Sequence, residues 1–130
     1  MPVQVHIVTP EREVWSGEVD ELVARGVDGE VGILGGHAPL LVQLAIGPLR
    51  MLSDDGEVKA VVDGGFLHVS SSEGTTRADV LAAHAELADE IDVVAARRLL
   101  ERWQNQVQED DNGVAKAEIA KAMARVNLVS

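Results

Sequence analysis

Val3, Val5 and Ile7 alternate with Gln4, His6 and Val8. That period of two marks a half-buried strand, because successive side chains point to opposite faces. Thr9-Pro10 ends it. A short second strand is predicted over residues 13–16, stopped by Gly17, and a third over residues 19–25. Asp28-Gly29 is a hairpin-turn signal, and residues 31–34 give a brief strand before Gly35-Gly36-His37-Ala38-Pro39. Strands are then predicted over residues 40–46 and 48–53, parted at Gly47-Pro48, and, after the turn Asp54-Asp55-Gly56, over residues 58–62 and 66–70 on either side of Asp63-Gly64-Gly65. A last strand covers residues 75–82. Short strands with a turn signal roughly every ten residues predict an antiparallel sandwich or barrel.

The texture changes near residue 85, where Ala, Leu, Glu and Arg replace β-branched alternation and favour helix. Ile91, Ala95, Leu99, Trp103 and Val107 recur every fourth residue, and Ala96 and Leu100 widen that stripe into a core-facing one. Asp89 or Asp92 is placed to cap the helix. A polar break over residues 108–113 precedes a second amphipathic segment marked by Ala115, Ile119, Ala122 and Val126, with Asp111 or Asn112 as its cap. Two such helices joined by a short break predict an antiparallel helical hairpin. Short, alanine-rich helices depend on tertiary packing. The predicted organisation is therefore a sheet domain over residues 1–84 and a helical tail over residues 85–130 that detaches from it.

Composition narrows the partners more than the fold. Apolar residues make up 46% of the 130, yet the aromatics are only Trp15, Phe66 and Trp103. The core must be built from Val, Leu, Ile and Ala, each large aliphatic contributing about 1.5–3 kcal/mol when buried. The formal charge is −11, with 13 acids against 5 bases in residues 1–84. A chain so acidic lacks the clustered cations that displace counterions from phosphates, so nucleic acid is excluded, as is an anionic bilayer surface. A basic protein partner is left. The absence of cysteine excludes disulfide scaffolds, thiolate metal sites and Cys nucleophiles. No run approaches the about 18 apolar residues of a membrane span, and no basic patch precedes an apolar run at the start. The expectation is a chain without direct membrane insertion, held at any membrane by another subunit.

Candidate chemistry concentrates in Gly29-Glu30-Val31-Gly32-Ile33-Leu34-Gly35-Gly36-His37-Ala38-Pro39-Leu40. Glycine serves positions of positive φ or close approach, and proline fixes φ and removes a donor, so this is a shaped surface. His37, with Asp28 and Glu30 near it in sequence, has the makings of a general base. No second catalytic group follows at a recognisable spacing, and the plainer reading is a loop histidine in local or partner contacts. His6, His37, His68 and His84 lack the His-x-His spacing of a strand-borne metal site; a small cupin-like metalloenzyme using His37 is the alternative from another class. The glycines are followed by no Lys-Ser or Lys-Thr and do not have dinucleotide spacing. Arg97, Arg98 and Arg102 on one helix, with Lys116, Lys121 and Arg125 on the next, form either a solvated face or a surface for an acidic partner. The tip holding Asp28 and Glu30 serves solubility or docks a basic or polar loop.

The same residues carry a resemblance. The run from Gly29 to Leu40, with Gly36-His37-Ala38-Pro39 intact, resembles the signature loop of the epsilon subunit of F-type ATP synthase. Val14-Trp15-Ser16-Gly17, Gly64-Gly65-Phe66-Leu67, Val80-Leu81-Ala82 and Glu90-Ile91-Asp92 are similar to further segments of that family. The resemblance runs from about residue 3 to the end, is most specific in the loop, and departs from the pattern at Gly35, where the family usually has proline.

The resemblance implies a ten-stranded β-sandwich followed by a two-helix hairpin, in a non-catalytic rotor subunit of the central stalk of a proton-translocating synthase. It implies binding to the gamma subunit and the c-ring, with Asp28, Glu30 and Gly32 at the ring and Thr9, Gly36, His37 and Pro39 against gamma. It implies a tail that extends toward the alpha and beta subunits and restrains ATP hydrolysis, with Arg97, Arg98, Arg102, Lys121 and Arg125 meeting acidic surfaces there. The location implied is the cytoplasmic face of a bacterial inner membrane, peripheral and within the synthase. Some members bind ATP in the folded hairpin through Ile-Asp-x-x-Arg-Ala; here Ile91-Asp92-Val93-Val94-Ala95-Ala96 puts Ala95 where the arginine would be. Arg97 and Arg98 are displaced by two and three positions, about 200–300° around a helix. No cofactor is required on this reading. ATP is left as a regulatory ligand of Ile91, Asp92, Lys121 and Arg125, against which the missing arginine counts, and a stand-alone ATP-sensing module is the second alternative.

Overall fold

A computed structural model describes residues 2–106 and 113–129. The chain runs β1 (Val3–Val8), β2 (Glu13–Val19), β3 (Glu21–Gly26), β4 (Gly29–Leu34), β5 (Leu40–Ser53), β6 (Gly56–Ser72), β7 (Thr75–Leu81) and β8 (Ala85–Leu87), then a 3₁₀ turn (Ala88–Glu90) and helices α1 (Val93–Gln104) and α2 (Val114–Val129). Strand order is β2-β1-β7-β6-β5-β3-β4, with β8 also on β6. All pairings are antiparallel except β1 with β7.

Eight strands build the sandwich where the resemblance implies ten. The sequence reads Gly47-Pro48 and Asp63-Gly64-Gly65 as breaks, but β5 and β6 continue through both. Gly47 pairs with Val62 and Pro48 with Val61. Residues 45–48 have no partner on β3, whose register jumps between Ala24 and Gly26. Pro48, lacking an N–H, falls in that unpaired stretch, where a bulge tolerates it. Opposite, Gly64 and Gly65 hold φ +83° and +123° and turn β6 without ending it. Each long strand therefore serves both layers. The first half of β5 and the second half of β6 join the layer of β7, β1 and β2, and their other halves join the layer of β3, β4 and β8. Dividing both strands at the bend recovers ten segments.

The inward faces of the two layers supply the core. Val3, Val5, Ile7, Leu67, Val69, Ala78 and Val80 come from one, and Leu22, Ile33, Leu49, Met51 and Ala60 from the other, each 1% exposed or less. These β-branched and aliphatic side chains suit a pleated, buried surface. Trp15 packs at the rim over Gly17, where an added Cβ would lie 2.7 Å from the indole.

Helix α1 begins where Asp92 Oδ1 accepts the Ala95 N–H at 3.0 Å, so Asp92 rather than Asp89 is the cap. Its buried side falls within the predicted stripe but is narrower. Ala96 is buried and Leu100 and Trp103 half-buried, while Ala95 and Leu99 are exposed. Ile91 lies before the cap, so it cannot set the phase of the helix. In α2, Ala115 and Ala122 are buried and Ile119 and Val126 half-buried, the face expected. Val107, the break at 108–112 and the capping candidates Asp111 and Asn112 lie outside the described residues. The two helices pack on each other, and α2 lies against β5 and β6.

Candidate functional site

Three surfaces concentrate the candidate residues. The first is the β3–β4 hairpin, whose tip carries Asp28, Gly29 at φ +138° and Glu30 opposite Arg25. Asp28 and Glu30 are exposed. Gly32 lies against Glu21, and a Cβ there would come 3.0 Å from Oε2. The tip overhangs Leu41, Val42 and Gln43 across a cleft of about 400 Å³. An acidic rim over apolar walls is therefore presented at one end of β4.

At the other end of β4, about 14 Å of strand away, residues 35–39 cross between the layers. The His37 N–H donates to Leu34 O at 3.1 Å, and its Nδ1 lies 2.7 Å from Ala38 O. A carbonyl only accepts, so Nδ1 carries the proton there. The Gly36 N–H donates to Thr76 Oγ1 at 2.7 Å, and Thr76 is buried on β7. The loop is thus pinned to the far layer by one hydroxyl. Pro39 is exposed. His37's ring contact is to backbone, and among the described residues no carboxylate is shown orienting it and no group of three or more His, Cys, Asp or Glu is placed to hold a metal ion.

The second surface is the outer face of the layer containing β7. Leu41 is 66% exposed, Leu81 52% and Phe66 49%. Phe66 is paired with Leu81 on one side and Gln43 on the other, and Leu41 with His68. Asp79, paired with both His68 and His6, adds a polar row. A groove of about 410 Å³ extends this apolar surface through Val8, Thr9, Pro10 and Ala82. Thr9 itself is buried, its hydroxyl held by the Arg12 backbone within its own turn. It shapes the groove more than it offers a free hydroxyl.

The third is the seat of the helical hairpin. Arg125 reaches from α2 to two strands of the sandwich. Its Nη1 and Nη2 donate to the Asp63 carboxylate at 2.7 and 3.0 Å, and its Nε to Glu86 at 2.6 Å. Burial acts to lower its pKa, but the hydrogen bonds and charges of Asp63 and Glu86 prevail and raise it above the ordinary arginine value. Lys121 pairs with Glu118 at 3.2 Å. Nearby, Arg12 joins Glu90 at 2.9 Å.

The candidate nucleotide residues are thus engaged within the chain: Asp92 caps α1, and Lys121 and Arg125 hold carboxylates. The predicted basic face is divided, since Arg97, Arg98 and Arg102 are exposed while Arg125 is turned into the sandwich. Sequence reasoning missed Thr76, Asp63, Glu86 and the apolar trio. For the trio a signal existed. Phe66 shares its strand phase with His68 and Ser70, and Leu81 with Arg77 and Asp79, so large apolar groups occupy solvent-facing positions. For Asp63 and Glu86 no local pattern points to an arginine 62 and 39 residues away.

Comparison with known proteins identifies the family. Residues 2–88 match the family described as ATP synthase, Delta/Epsilon chain, beta-sandwich domain. The ATP synthase epsilon chain of Thermobifida fusca is 44% identical over 125 residues, covering 94% of this chain and 88% of that one. The epsilon chain of Desulforamulus reducens is 42% identical over 127 residues, covering 95% and 93%. Among solved structures, a chain of the Euglena gracilis mitochondrial ATP synthase, in its OSCP/F1/c-ring assembly, superposes with a TM-score of 0.77 at 26% identity, covering 97% of this chain and 79% of that one.

Proposed function

The chain belongs to the ATP synthase delta/epsilon family, and from that premise we propose that its sandwich is a coupling piece of the rotor with two separate docking surfaces. It is the epsilon subunit of an F-type ATP synthase and is itself non-catalytic. The reading gives the outer face of Leu41, Phe66 and Leu81, with the Thr9 groove and the His37 loop, to the gamma subunit. It gives the acidic tip of Asp28 and Glu30 to the c-ring. A close-packed sandwich between the two resists deformation, which is what transmission of torque requires. The observation that carries this is the exposure of three large apolar side chains on one layer, since monomeric surfaces rarely gather them.

The helical hairpin is the regulatory part of the proposal. Folded, it lies on β5 and β6; extended, it meets the alpha and beta subunits and restrains ATP hydrolysis, with Arg97, Arg98 and Arg102 facing acidic surfaces. We assign no nucleotide site to the folded hairpin, because Ala95 supplies no charge and Asp92, Lys121 and Arg125 already have partners in the chain. The subunit works at the cytoplasmic face of a bacterial inner membrane, on a complex that moves protons.

The test is reconstitution of the assembled synthase with two single variants. Phe66→Glu places a charge in the apolar face and is expected to lower retention of this chain in the complex. Glu30→Lys is expected to leave the chain bound but reduce ATP-driven proton pumping. Full retention and full pumping by both variants would refute the two-surface reading.

A further inference from the structure

The fully buried side chains of the hairpin are small. The buried residues of α2 are Ala115 and Ala122, and α1 adds Ala96. The larger apolar groups Val94, Leu99, Val114 and Met123 are all more than 40% exposed. Alanine-sized contacts give limited apolar burial, and Ile119 and Val126 are only half-buried, so polar contacts weigh more in fixing the position of α2. Across the same interface Arg125 makes three charge-assisted hydrogen bonds to two carboxylates on two different strands. The Arg125 and Asp63 side chains are only 15% and 6% exposed. The fork on Asp63 is bidentate, the arrangement in which guanidinium and carboxylate geometry match.

We propose that Arg125 is the latch of the hairpin: a single guanidinium, clamped by Asp63 of β6 and Glu86 of β8, that sets how readily the two helices leave the sandwich. Its backbone neighbours support the position. Nη1 also donates to Lys121 O at 3.0 Å, fixing the side chain against its own helix. The Asp63 N–H donates to His84 O at 3.1 Å, so the two strands carrying the carboxylates are tied together before the arginine arrives. The acceptor site is therefore prebuilt on the sandwich, and little side-chain freedom remains to be lost on closing. A pair this shielded is weakened less by salt than a surface pair. Opening leaves two carboxylates near one another without their cation, which opposes opening.

The consequence for the proposed regulation is direct, and it rests on the reading of the hairpin as a movable inhibitor. Arg125 cannot hold Asp63 and also meet an acidic partner. Closing the latch withdraws that cation from the set available to the alpha and beta subunits, and no bound ligand is needed to keep it closed.

The experiment is hydrogen exchange on the full chain, comparing α1 and α2 amides with those of β1 and β7. Arg125→Gln is expected to raise exchange of the helical amides about ten- to hundredfold, the range for removing one partner of a charged hydrogen-bonded set, with the strands unchanged. The charge swap Asp63→Arg with Arg125→Asp is expected to recover part of that protection, which a merely unfolded hairpin would not. Unchanged helical exchange in Arg125→Gln, or no recovery in the swap, overturns the latch. Asp63→Asn, which loosens the latch while leaving Arg125 available to an acidic partner, is assembled into the synthase to separate the two ideas. Loosened helices with stronger restraint of ATP hydrolysis support both. Loosened helices with unaltered hydrolysis keep the latch and reject the inhibitory reading.

Discussion

Replacing Gly65 by alanine probes the bend that lets one strand serve two layers. Gly65 holds φ +123°, a conformation L residues rarely adopt, and forcing one there costs about 1–3 kcal/mol. An added Cβ would lie 2.2 Å from Leu81 O and 2.9 Å from Ala82 Cα. Those atoms belong to the end of β7, and the Ala82 N–H is itself bonded to Val8 O. They can move only if β7 separates from β6 or from β1. Overpacking of this kind costs about a further 1–3 kcal/mol, so Gly65→Ala should destabilise the chain by about 2–6 kcal/mol in total. Gly64→Ala is the control. Its φ is also positive, +83°, but its nearest neighbour, Leu44 O, stands at an ordinary 3.6 Å. Only the conformational part applies to it. Urea unfolding of both variants, followed by circular dichroism, reads the difference. Gly65→Ala should be the less stable by more than about 1 kcal/mol. Equal losses would show that close approach of the strands does not constrain the bend, and the reasoning would fail.

Other consequences are as specific. Thr76→Val keeps the shape but removes the acceptor of the Gly36 N–H; about 1 kcal/mol of stability should be lost, with faster exchange at Gly36, and normal exchange there would deny the pin. Acid should weaken the fold through two exposed ion pairs. The Arg12 hydrogen bond and the Leu87 N–H hold the Glu90 carboxyl below its ordinary value, and the Arg50 hydrogen bond does the same for Glu57. A lowered folded-state pKa gives stability that is complete above the unfolded value, about 4.3, and is lost as pH falls through the folded one. The urea midpoint should therefore drop below pH 4.5, and drop less in Arg12→Gln with Arg50→Gln; equal slopes would contradict it. Removal of the tail should spare β8, since Ala85, Glu86 and Leu87 pair with β6. Deleting residues 93–130 is expected to raise ATP hydrolysis by the assembled enzyme without loss of assembly, and unchanged hydrolysis would remove the inhibitory role.

Much of the fold is legible where one residue's neighbours decide its state. Val3, Val5 and Ile7 announce their buried face by alternation alone, and all three are fully buried. Asp28-Gly29 and Asp54-Asp55-Gly56 mark turns that form, and Asp92 caps the helix it precedes. What is not legible depends on distant parts of the chain. Gly47-Pro48 reads as a break because proline lacks a donor; that β3 leaves this stretch unpaired is a tertiary fact. Ile91 spaces well with Ala95 and Leu99, yet the cap at Asp92 starts the helix after it, and of the described part of the predicted stripe Ala96, Leu100 and Trp103 turn inward while Ala95 and Leu99 do not. The glycine loop is prominent in sequence, but its anchor is Thr76, 40 residues on. Arg125 reads as one of several helix cations, and only the folded chain brings it to Asp63 and Glu86.

The central claim is that two adjoining surfaces of one rigid sandwich face two different subunits. Site-specific photocrosslinkers at Phe66 and at Glu30, in the intact synthase, address it directly. The account predicts that position 66 captures the gamma subunit and position 30 the c-ring. Capture of the same subunit from both positions, or of neither, would contradict it.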